Sequence, residues 1–76
     1  MRTFISGTLL KTINDMSIDN LDAHLTTHKK GEYFIVINHD YTWTDKSKGY
    51  LILSQNTKTI SPWCHTDLKK CFIVNK

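Results

Sequence analysis

The chain is most apolar at Tyr33-Phe34-Ile35-Val36-Ile37, which has no polar position. Read as a strand over 32–38, this run puts Phe34 and Val36 on one face and Tyr33, Ile35 and Ile37 on the other. Both faces are apolar, so both want cover. A second apolar strand follows Gly49 as Tyr50-Leu51-Ile52-Leu53-Ser54, and a last one runs over Cys71-Phe72-Ile73-Val74. Thr59-Ile60-Ser61 reads as a short strand stopped by Pro62. Residues 2–13 read as a strand bent or bulged at Gly7. The competing reading makes residues 8–16 a helix, because Leu9, Leu10, Ile13 and Met16 have helical spacing.

The spacing predicts a helix over 18–30. Ile18, Leu21, Leu25 and His28 recur at intervals of three and four. Ser17 suits the N-cap, and Met16 and Leu21 suit a hydrophobic staple. Asp19 and Asp22 lie at the positive end, Lys29 and Lys30 at the negative end, and Gly31 supplies a left-handed stop. Residues 39–48 read as a loop, and 55–58 as a polar turn. Thr66 to Lys70 suits one helical turn. The expected fold is α+β: one helix packed on an antiparallel sheet of four or five strands, in the order strand-helix-strand-strand-strand.

Length adds a constraint. Seventy-six residues suit one domain over 1–76, and a chain of this size buries only about 60% of its unfolded surface. Three Tyr, three Phe and two Trp give so small a core large units of burial. No apolar stretch is long enough to span a membrane, and no signal-peptide pattern opens the chain, so a cytoplasmic protein is expected. Two cysteines, Cys64 and Cys71, are too few for a disulfide scaffold and should stay reduced there. The net charge of +3 comes from nine Lys and one Arg, where phosphate recognition usually draws on Arg. The abundance of Lys, Asn, Ile and Thr beside a lone Ala23 is the bias of an AT-rich gene, as in phages.

Candidate chemistry is sparse. His24 and His28, four apart, would share a helical face as zinc ligands do, with a third donor sought among Cys64, His65 and Cys71. No Glu follows His24, so neither a metal nor any other cofactor is assigned. Cys64 beside His65 invites a thiol-nucleophile reading, but adjacent strand residues point apart. His39-Asp40-Tyr41-Thr42-Trp43 combines an imidazole, a carboxylate and two large aromatics, yet a catalytic dyad needs a pocket this fold hardly has room for.

The expected function is non-enzymatic: binding to a protein partner through the uncovered sheet face and its bordering loop. Tyr41 and Trp43 are the expected anchors, flanked by His39 and Asp40, with Lys46 and Lys48 at the rim steering an acidic partner. An inhibitor or modulator of a host factor, of phage or mobile-element origin, fits the size and composition. If Lys29-Lys30, Lys46, Lys48 and Lys69-Lys70 converge, nucleic-acid binding with stacking on Tyr41 and Trp43 is the alternative. A metal-stabilised homodimer is a third reading.

Overall fold

The computed structural model describes residues 4–75, and their fold is α+β. The elements are β1 (Leu9–Thr12), β2 (Met16–Asp19), β3 (Leu25–His28), β4 (Tyr33–Thr42), β5 (Lys48–Ser54), β6 (Ile60–Trp63), α1 (His65–Cys71) and β7 (Phe72–Val74). Five strands form an antiparallel sheet in the order β6-β5-β4-β1-β7. The other two, β2 and β3, pair only with each other. The helix therefore comes near the C-terminus, not after the first strand.

The predicted helix over 18–30 is a β-hairpin. Met16, Ile18, Thr26 and His28 turn inward, while Ser17, Asp19, Leu25 and Thr27 face out, which is a period of two. Leu21 and Leu25, expected in the core, are 49% and 65% exposed. The reversal is built from polar residues. The Asn20 backbone N–H donates to the His24 carbonyl at 3.1 Å, and the Ala23 N–H to the Asn20 carbonyl at 2.9 Å. Asp22 Oδ1 accepts the His24 N–H at 3.1 Å, an Asx turn that competes with helix. Ala23 adopts a φ of 69°, which no helix interior contains. Gly31 is left-handed, at φ +92°, in the turn that delivers β4.

The alternative helix over 8–16 is also absent. Those residues form β1, a turn and the start of β2, and Leu10 and Thr12 face inward where Leu9 and Lys11 do not. Gly7, at φ +95°, lies in the turn before β1, and its N–H donates to the Val36 carbonyl at 2.7 Å. Of the strand expected over 2–13, residues 9–12 form β1, residues 4–8 form no strand, and residues 2–3 lie outside the described residues. The strand through 32–38 extends further than predicted, because β4 runs on to Thr42. Its pairing with β5 shifts register between Val36 and Asn38 and again between Asn38 and Tyr41. Each shift inserts an unmatched residue and bends the strand.

The core lies between the sheet and a second layer made of the β2–β3 hairpin, α1 and Phe4. Phe34, Val36, Leu10, Ile52 and Phe72 come from the sheet; Ile18 and Leu68 come from the covering layer. Aromatic rings meet edge to face in this core. Phe34 meets Phe72 at 5.1 Å, Phe72 meets Trp63 at 5.1 Å, and Phe4 meets Tyr50 at 5.4 Å. Such pairs add about 0.5–1.5 kcal/mol each beyond the area they bury. The single turn expected at 66–70 becomes α1, with Lys69 and Lys70 at its negative end. Pro62 does not stop β6 but sits inside it, and is tolerated because β6 is an edge strand. The hairpin turn reaches this edge, where the Leu21 N–H donates to the Ile60 carbonyl at 2.9 Å.

Candidate functional site

The strand alternation that fills the core leaves a second set of side chains on the opposite face of the sheet. Register aligns them in rows. Leu9, Ile35, Leu53 and Ile60 cross four strands in one line. On one side of this row stand Ile73, Lys11 and Tyr33, and on the other Asn38, Leu51 and Pro62. All ten are half-buried or exposed, whereas inward neighbours such as Phe34, Val36 and Ile52 show 1% or less of their surface. Helix and hairpin both pack on the inward side, so this face stays open. Lys11 is the one charged side chain among these ten, and its Nζ lies 5.8 Å from the centre of the Tyr33 ring. That is cation–π range.

The residues expected to border this face gather at the far end of the β4–β5 hairpin. Tyr41 and Trp43 are half-buried and meet edge to face at 5.1 Å. A Cβ placed on Gly49 would fall 2.5 Å from Cζ3 of Trp43 and would collide with the Trp63 carbonyl oxygen. Trp43 therefore folds back against its own hairpin. Lys46 occupies the turn at φ 71°. Lys48 Nζ stands 3.3 Å from Asp40 Oδ1, with both groups exposed. His39 faces another way: its Nδ1 accepts the Ser6 N–H at 3.0 Å and meets the Ser6 hydroxyl at the same distance. His39 and Asp40 are thus engaged separately. Asp45 holds the turn through the Ser47 N–H and hydroxyl, and these bonds draw its carboxyl below the ordinary value.

The donors considered for a metal are dispersed. His24 is exposed and stands 3.2 Å from Asp22, while His28 is buried in the hairpin. His65 Nδ1 lies 2.9 Å from the Tyr50 hydroxyl. Cys64 and Cys71 are free thiols, and burial pushes the Cys71 thiol up. Among the described residues, no three His, Cys, Asp or Glu side chains converge.

The sequence reading missed one polar chain. Asn20 Nδ2 donates to Thr26 Oγ1 at 3.0 Å, Thr26 Oγ1 lies 2.7 Å from His28 Nε2, and His28 Nδ1 lies 2.8 Å from Glu32 Oε1. The Lys29 N–H donates to Glu32 Oε2 at 2.9 Å and, with His28, holds that carboxyl below its ordinary value. Hydroxyl, imidazole and carboxylate in sequence have the layout of a nucleophile with its base. Here the His28 side chain shows no surface to solvent, and its ring packs 5.0 Å from Phe34. The chain ties the hairpin to the sheet. Its signal was present as Thr26-x-His28, one strand face, with Glu32 one turn later.

Comparisons with protein-family models, with curated proteins and with solved structures give no match. No described helix is long and apolar enough to cross a membrane.

Proposed function

We propose that this chain is a non-enzymatic binding protein that acts by occupying a surface on a protein partner, and that the open sheet face makes the contact. The row Leu9-Ile35-Leu53-Ile60 carries the reading. Contiguous apolar surface of this kind marks interaction sites in soluble proteins. Aliphatic side chains held by sheet register form a rigid surface that loses little entropy on docking. Tyr33 supplies the aromatic anchor on this face, and Lys11 beside it favours an acidic group opposite. Tyr41 and Trp43 extend the contact at the hairpin end. Inhibition or redirection of the partner follows from blocking its surface.

Tyr33→Asp and Ile35→Asp place charge in the middle of the face without entering the core. Affinity purification from the native host with the wild type and with each folded variant is the test. Partner protein held by the wild type and lost with both variants supports the reading. An unchanged set of bound proteins overturns it, as does nucleic acid that copurifies and is released by salt.

A further inference from the structure

A groove of about 330 Å³ runs between β2 of the hairpin and the β6–α1 junction. Trp43, Pro62 and Trp63 give it apolar walls, and Asp19 and Asp67 give it two carboxylates. Both tryptophans of the chain are here. Among the described residues no Lys or Arg lines the groove, although the chain as a whole carries a net charge of +3. Among the described residues, neither Asp19 nor Asp67 is in an ion pair, whereas Asp22, Glu32 and Asp40 each have one. The Trp63 N–H is already spent on the Ser61 hydroxyl at 2.9 Å, so its contribution to a ligand is ring surface.

We propose that this groove is a binding site for an arginine side chain presented by a partner protein. Indole faces attract cations through the ring quadrupole, and a guanidinium also stacks flat on them. Its fork of N–H donors then matches a carboxylate at the rim. A neutral apolar ligand would leave Asp19 and Asp67 unanswered, and an anion would be repelled by both. The groove shares Pro62 with the open sheet face and Trp43 with the hairpin end beside it, whereas Asp19, Trp63 and Asp67 belong to neither.

The test uses the intact chain and a capped Gly-Arg-Gly peptide, with Gly-norleucine-Gly as the neutral control. The two indole N–H signals in a ¹H–¹⁵N spectrum report on Trp43 and Trp63 directly. The expected result is saturable movement of both signals with the arginine peptide, lost with the norleucine peptide and weakened by salt. Asp19→Asn combined with Asp67→Asn should weaken binding roughly fivefold or more at low ionic strength. Both carboxylates are exposed, so this variant keeps its fold, which the rest of the same spectrum verifies. Equal binding of the norleucine peptide, unchanged affinity in the double variant, or no saturable indole shift would each overturn the proposal.

Discussion

The six-membered ring of Trp43 fills the space that a side chain at Gly49 would need. Gly49→Ala sets a methyl against that ring and against the Trp63 backbone carbonyl, which cannot swing aside. The variant should lose about 1–3 kcal/mol of stability, and the indole should move into a more exposed environment. Thermal melting with Trp fluorescence checks both; a wild-type melt with unchanged emission would contradict the packing.

Leu68 and Leu25 make a pair of opposites. Leu68 is fully buried against the sheet, while Leu25 is 65% exposed on the outer side of the hairpin. Leu68→Ala should cost about 2–5 kcal/mol, and Leu25→Ala no more than about 0.5 kcal/mol. Denaturant titration of both variants separates the hairpin from the helix that spacing predicted, because a helix over 18–30 would make Leu25 the costly site.

How much of the fold was legible follows from the same residues. The runs at 33–37, 50–54 and 72–74 were readable because buried strands concentrate β-branched and aromatic side chains. The stretch 16–31 was misread because Ile18, Leu21, Leu25 and His28 match a helical stripe by coincidence, and caps at both ends agreed with it. The turn signal at Asn20 and Asp22 was weaker than that agreement. Tertiary structure decided against it, through the Thr26–His28–Glu32 chain and the packing of His28 on Phe34. The open face was visible in the two-sided apolarity of residues 33–37. The alignment of its rows was not, because register depends on which strands pair. The Trp–Asp groove was equally hidden, since Asp19, Trp43, Trp63 and Asp67 meet only in three dimensions.

Glu32 links stability to acidity. The Lys29 N–H and His28 hold its carboxyl below the ordinary value of 4.5, so the folded state binds this proton less readily than the unfolded chain. The stabilisation is present above that value and is lost as pH falls through the lower folded one. Melting temperature should therefore fall as the solution is acidified below about pH 4.5, and Glu32→Gln should flatten that part of the curve. Parallel acid slopes in the two proteins would remove Glu32 as the cause.

Cys71 should be a slow thiol. Burial raises its pKa, which lowers the thiolate fraction available at neutral pH. Alkylation followed by mass spectrometry should show Cys71 modified more slowly than a free cysteine at the same pH, and faster once the chain is unfolded. Labelling of Cys71 at the free-cysteine rate in the folded protein would contradict its partial burial.

The two margins of the sheet decide whether further copies of the chain can add to it. An exposed strand margin is a template on which further chains polymerise, and an oily surface alongside would favour that growth. At one margin, β6 contains Pro62 and has its Ile60 carbonyl occupied by Leu21. At the other, β7 offers three residues, and the Phe72 N–H is already donated to Leu68. Neither margin gives an incoming strand a continuous ladder. The molecule can thus leave the apolar face of its sheet open while resisting growth into filaments, and lengthening β7 or replacing Pro62 would weaken that safeguard.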